Sequence, residues 1–158
     1  MNKLQVIKLY RSENFYHIYN RGNNKALISR TNKDYLALRG LMYRFSKENK
    51  LLVVSYCFMP NHFHMIIKLR DDLEGISKFM RAYMTSYVMY FNRKYRRVGH
   101  LFQGPFQARR IEDDRDLYKV IEYIKRNPIE AGLISSKTGQ KYRWLFVKRT
   151  FDRRGGLT

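Results

Sequence analysis

An α+β fold is predicted from the order of hydrophobic periodicities along the chain. Two long stretches and one shorter one repeat apolar residues at steps of three and four. Between them lie short runs rich in β-branched and aromatic residues, bounded by turn residues. The 158 residues, 44% of them hydrophobic, suit one domain with a real core.

Residues 1–14 are polar and basic and read as a leading arm. Phe15 to Tyr19 is a first strand, β1, stopped by the turn cluster Asn20-Arg-Gly-Asn-Asn24. Lys33 to Lys50 carries an apolar stripe of Leu36, Leu38, Leu41, Met42 and Phe45, which predicts a helix, α1, capped by Thr31 or Asn32. Leu51 to Phe58 is β2. Proline fixes its φ and Asn bonds its own backbone, so Met59-Pro60-Asn61 is a turn, and His62 to Leu69 returns as β3. Asp71 or Asp72 caps the next helix, α2. Its stripe, from Ile76, Phe79 and Met80 to Tyr87, Val88 and Phe91, reads as core or as a dimer seam. After the loop Gly99-His-Leu-Phe-Gln-Gly104, Pro105 to Ile111 is β4. Arg115 to Asn127 is α3, which Pro128 ends. The tail from Gly132 has a β-like patch at Tyr142 to Val147 and a basic end at Arg149 to Thr158.

This order is βαββαβ. It predicts a ferredoxin-like, antiparallel four-stranded sheet with helices on it and α3 as a C-terminal addition, β1 and β3 being central. With no linker and no repeat, residues 1–158 form a single domain, with its core at about 15–135 and a basic tail at 136–158.

Thirty-two Lys and Arg face 13 Asp and Glu, a formal charge of +19, which favours a polyanion or an anionic membrane as partner. A membrane is disfavoured. The longest apolar run, Leu51 to Met59, is broken by Ser55 and is about half of a spanning helix. The N-terminus lacks an apolar segment of signal-peptide length. Nucleic acid is left as the partner, in the cytoplasm and at the nucleoid when DNA is bound. Cys57, the single cysteine, excludes internal disulfides and Cys-rich zinc sites and reads as a buried thiol. Thirteen Tyr and 10 Phe interleaved with cations suit stacking on unpaired bases, although most of the rings are expected in the core.

On β3, side chains alternate with period two, so His62 and His64 share a face, roughly 7 Å apart along the strand. A His-x-His pair by itself is ordinarily a surface pair. Helix α3 changes that. At 100° per residue, Leu117, Val120, Ile121 and Ile124 are its buried face. Tyr123 and Asn127, four apart, stand on one flank, with Tyr118 on the other. If α3 packs on the sheet, Tyr123 and the Asn127 oxygen reach the two histidines. Two imidazoles and an amide oxygen suit Mg2+ or Mn2+, and a tyrosine beside such an ion is placed to attack a phosphodiester. His17 on β1 has no partner nearby in sequence and reads as structural or solvated.

The stretch Met59-Pro-Asn-His-Phe-His-Met-Ile-Ile67 is similar to the histidine–hydrophobic–histidine motif of the HUH endonucleases. Gly99 to Gly104 and Tyr123-Ile-Lys-Arg-Asn-Pro-Ile-Glu-Ala-Gly-Leu133 look like the later motifs of the single-tyrosine branch. Over about residues 15–135 the chain resembles the insertion-sequence-type transposases, most closely the REP-associated tyrosine transposases. The resemblance implies metal-dependent cutting and joining of single-stranded DNA near a hairpin (stem-loop). It also implies a 5′-phosphotyrosine intermediate with a free 3′-OH, and a fold that commonly forms homodimers. By position it makes Tyr123 the nucleophile and His62, His64 and Asn127 the metal ligands, the last being Gln in some relatives. Arg21, Arg93, Lys94, Arg96, Arg97, Arg109 and Arg110 are candidates for holding the hairpin backbone, and His100 is a loop histidine able to join them. The competing reading is a non-catalytic module for single-stranded nucleic acid on the same fold, which would need no such His–Tyr–Asn set.

Overall fold

The computed structural model describes residues 14–70 and 74–148. The expected arm at 1–14, except Asn14, the caps Asp71 and Asp72, and the basic end at Arg149 to Thr158 lie outside the described residues. The elements are β1 (Phe15–Arg21), α1 (Asn32–Glu48), β2 (Leu52–Phe58), β3 (His62–Lys68), α2 (Gly75–Tyr95), β4 (Gln107–Arg110), α3 (Asp114–Glu130) and β5 (Leu145–Val147). The strands form one sheet in the order β4-β1-β3-β2-β5, antiparallel at every pairing. The expected α+β, ferredoxin-like arrangement holds, with β1 and β3 inside the sheet.

Three features differ from the sequence reading. The sheet has five strands, not four. The patch at Tyr142–Val147 folds back as an edge: Leu145 and Val147 pair with Cys57 and Ser55, the Ser55 hydroxyl donates to Phe146 O at 2.9 Å, and Trp144 stacks on Tyr35 at 4.8 Å. The tail from 136 is therefore not wholly outside the core. Strand β1 runs through Asn20 to Arg21, because β3 pairs with it to His62, and the turn begins at Gly22. A Cβ at Gly22 would lie 2.0 Å from Ala26 O, so only glycine fits there. Helix α3 also continues past Pro128 to Glu130. Proline removes only its own bond to the preceding turn. That close to the end, the carbonyls of Asn127, Pro128 and Ile129 still accept from Ala131, Leu133 and Gly132, and the proline ring is buried.

The sheet has a core on each side. Phe63, Met65 and Ile67 of β3, with Tyr16 and Ile18 of β1, face α1 and α2. Ile76, Phe79, Met80, Tyr83, Tyr87 and Phe91 of α2 are buried there as core of this chain, while Val88 of the same stripe is half-buried. On the other side Leu117, Val120, Ile121 and Ile124 of α3 cover Ile66, Val54, Cys57 and Met59. A β-bulge between Val53 and Ser55 shifts the alternation, so that Val53 joins the same core as Tyr56 and Phe58. Cys57 is buried, which pushes its thiol up to about 12. Among the described residues no helix is long and apolar enough to cross a membrane.

Candidate active site

The face of the sheet that α3 packs on is read in rows. Cross-strand pairing sets Gln107, Tyr19, His64 and Cys57 side by side, and Arg109, His17 and Ile66 in the next row. Arg21 lies opposite His62 at the end of the sheet. Helix α3 covers the Ile66 end, and its flank carrying Tyr123 and Asn127 reaches the histidines. The ring of Tyr123 is 5.3 Å from His64, edge-on at 82°, and the His62 and His64 rings are 5.1 Å apart. Asn127 Oδ1 is 3.3 Å from His62 Nε2, and its carboxamide also acts on His64. The structure thus brings Tyr123, His62, His64 and Asn127 together, and leaves Tyr118 exposed on the other flank.

Hydrogen bonds fix how these groups point. Asn127 Nδ2 donates to Tyr123 O at 2.9 Å, so its Oδ1 is turned to His62. His62 Nδ1 is 2.7 Å from Asn61 Oδ1. Burial, with the Arg21 charge adding to it and the Asn127 contact opposing it, lowers the His62 pKa and keeps the ring neutral. A neutral imidazole has one N–H, and here two oxygens face its two nitrogens. In the tautomer that carries its proton on Nδ1, toward Asn61, His62 Nε2 and Asn127 Oδ1 present lone pairs to one another across 3.3 Å. That donor set fits a cation. Among the described residues no three His, Cys, Asp or Glu side chains gather as a metal-binding group, and Asn127 Oδ1 is the oxygen that stands beside the two histidines.

His17, expected to be structural or solvated, belongs to the site. Its Nε2 lies 3.0 Å from His64 Nδ1, buried, and its ring is 6.1 Å from Tyr123. Burial, then the Arg109 charge, lowers its pKa to about 4 against an opposing pull from Asp116. Burial, then His17 and His62, lowers that of His64 to about 3, with Asn127 opposing. The sequence did carry the signal: in a ferredoxin-like sheet β1 borders β3, and His17 has the parity of Tyr19. Only the register was missing.

The site opens into a cleft of about 730 Å³. Tyr19, Arg21, Lys25, Gln103 and Gln107 line it beyond the histidines. Of the basic candidates only Arg21 lines this cleft. Lys94 is held by Asp34 at 2.5 Å and by Thr31 and Tyr90, tying α2 to the start of α1. Burial alone would raise the Asp34 carboxyl. Lys94, the Tyr95 hydroxyl and the N–H groups of Arg30 and Thr31 outweigh it and hold the carboxyl well below the usual range. Arg109 makes a two-pronged bridge to Asp116 at 2.8 and 2.9 Å, pinning β4 to α3. Arg110 points to the other face and reaches Asn14. Arg93 and Arg96 are exposed at the end of α2, where Arg97 bonds Asn92. His100 lines a separate apolar cleft beside Met84 and Val88.

A family model described as "Transposase IS200 like" matches residues 10–127. A Haemophilus influenzae protein named "Putative REP-associated tyrosine transposase" is 28% identical over 91 residues, 51% of each chain, so this chain spans about half the length of that curated relative. Two solved structures share the fold. One is described as a REP-associated tyrosine transposase bound to a REP hairpin. It has a TM-score of 0.67 at 18% identity, over 94% of this chain and 90% of that one. The other, a "putative transposase" of Deinococcus radiodurans R1, has a TM-score of 0.52 at 14% identity, over 74% and 92%.

Proposed function

The chain belongs to the IS200-like transposase family, and from that premise we propose that it cuts and rejoins single-stranded DNA beside a hairpin, with Tyr123 as nucleophile and His62, His64 and Asn127 holding Mg2+ or Mn2+. The observation that carries this reading is the approach of His62 Nε2 and Asn127 Oδ1 to 3.3 Å, one helical turn from a half-exposed phenol. A divalent ion bound there supplies Lewis-acid polarisation of a phosphodiester oxygen. The chain's own residues do the rest. Arg21 and Lys25, on the cleft wall, hold flanking phosphates. Asn61 orients His62, and His17 orients His64.

Tyr123 Oη attacks phosphorus as its proton passes to solvent in the cleft. The bond from phosphorus to the 3′-oxygen breaks, and that oxygen takes up a proton to leave as a 3′-OH. The 5′-phosphate remains esterified to Tyr123. One phosphodiester has replaced another, so the reverse attack by a 3′-OH rejoins strands without ATP.

The test is a denaturing gel. Protein is mixed with labelled stem-loop DNA bearing single-stranded flanks from beside its own gene, with Mn2+, Mg2+ or EDTA. A metal-dependent covalent protein–DNA band, absent in Tyr123→Phe, is expected. Salt-sensitive binding without any adduct, over several such hairpins, would leave the non-catalytic module as the correct reading.

A further inference from the structure

The half of the sheet face that α3 leaves open is unused by the strand-transfer chemistry. Tyr19 stands there 38% exposed. Its ring lies tilted against His17 at 5.1 Å and against His64 at 5.8 Å, and the remainder opens to the cleft. An aromatic ring held by two buried imidazoles, on a strand bonded on both edges, is a rigid platform. Gln107 is its direct neighbour on β4, exposed and on the same face. Gln103, brought alongside by its N–H bond to Arg21 O at 2.9 Å, adds a second carboxamide. The side chains of Gln103, Arg21 and Lys25 make no hydrogen bond or ion pair among the described residues.

The register sets the distances. Tyr19 is one strand from His64 and Gln107 is two, so at ~4.8 Å per strand they stand roughly 5 and 10 Å from the ligand row. That is the reach of one nucleotide from a phosphate held at His64. A base in a duplex hides its faces in the stack and its pairing edge in its partner. A part-exposed ring beside amides suits a base that has neither.

We propose that Tyr19, Gln107 and Gln103 form a subsite for one unpaired nucleobase adjacent to the scissile phosphate, with Tyr19 stacking on it and the two carboxamides reading its edge. This rests on the strand-transfer reading for the position of the phosphate. It assigns to this wall of the cleft the choice of base at the cut, separate from recognition of the hairpin.

The full chain carrying Tyr123→Phe, so that DNA stays intact, is saturated onto the same stem-loops, as judged by anisotropy. 2-Aminopurine replaces one flank base at a time. Fluorescence should be quenched at one flank position, or at two adjacent ones. Quenching should be lost in Tyr19→Ala and kept in Tyr19→Phe. Affinity should fall about 5- to 150-fold in Tyr19→Ala, the range for losing one stacked base. Gln107→Ala should keep the quenching and flatten the preference among the four bases there. Quenching at no flank position, or quenching untouched by Tyr19→Ala, overturns the subsite. The measurement needs neither metal nor cleavage. Quenching without covalent adducts would therefore sink the catalytic reading and keep a base subsite, and adducts without quenching would do the reverse.

Discussion

Replacing His17 by leucine should weaken divalent-cation binding about 10- to 100-fold, the usual range for losing a residue that orients a metal-binding histidine. The reason lies in a single proton. His64 Nδ1 and His17 Nε2 are 3.0 Å apart and buried, so one hydrogen lies between them. When His64 donates it, the opposite nitrogen of His64 keeps its lone pair for a cation. When His17 donates it, that nitrogen carries the hydrogen and cannot ligate. Cation binding therefore requires His17 to accept. Leucine cannot accept, and a buried N–H left unpaired costs about 1–3 kcal/mol. That covers the ~1.4–2.7 kcal/mol to which a 10- to 100-fold loss corresponds. In His17→Gln the carboxamide oxygen takes the place of Nε2, and most of the affinity should return. Calorimetric titration with Mn2+ reads both variants, and urea unfolding of each shows that the fold is intact. Wild-type Mn2+ affinity in His17→Leu, or an equal loss in leucine and glutamine, would refute the reasoning.

Two further outcomes follow from the same charges. Both buried imidazoles have folded pKa values below the usual 6.5, about 4 for His17 and about 3 for His64. Their contribution to stability is complete above pH 6.5 and is lost as pH falls toward 4, because the unfolded chain binds protons that the folded chain refuses. Each unit of depression is worth ~1.4 kcal/mol. Urea midpoints measured from pH 8 to 4 should be level down to about 6.5 and then drop, with a shallower drop in His17→Gln. Binding to a stem-loop should also weaken steeply with salt as counterions are released. Arg21→Gln should lower the log–log slope by about 0.7, one single-strand phosphate contact. A slope unchanged by that substitution would remove Arg21 from the interface.

The sequence revealed more of the site than of the sheet edges. Alternation on β3 and the four-residue spacing on α3 are local, and together they placed His62, His64, Tyr123 and Asn127 within reach of one another. What stayed hidden was set by pairing across the chain. His17 enters the site only because β1 and β3 pair with Tyr19 opposite His64. Strand β5 is three residues long and depends on Ser55 and Trp144 for its place, so its weak local pattern could not mark it as part of the sheet. The cations were legible in number and not in use. Nothing in composition separates Arg21, which faces the cleft, from Lys94 and Arg109, which are engaged by Asp34 and Asp116.

The connection from β4 to α3 decides whether one chain suffices. Three residues, 111–113, join the two elements, and a segment that short spans ~10 Å at most. Its ends are fastened to its own sheet: Ile111 N donates to Phe15 O at 2.9 Å, Asp113 caps the helix, and Arg109 grips Asp116. The apolar face of α3 then closes over Val54, Cys57 and Ile66. To serve a second chain the helix would have to abandon that core, and the connection gives it no length to do so. Tyr123 and the histidines should therefore act within one chain, whether or not chains pair. Mixing His64→Ala with Tyr123→Phe should form no covalent adduct with stem-loop DNA. An adduct restored by the mixture would show α3 reaching across to a partner's sheet, and the argument from the short connection would be wrong.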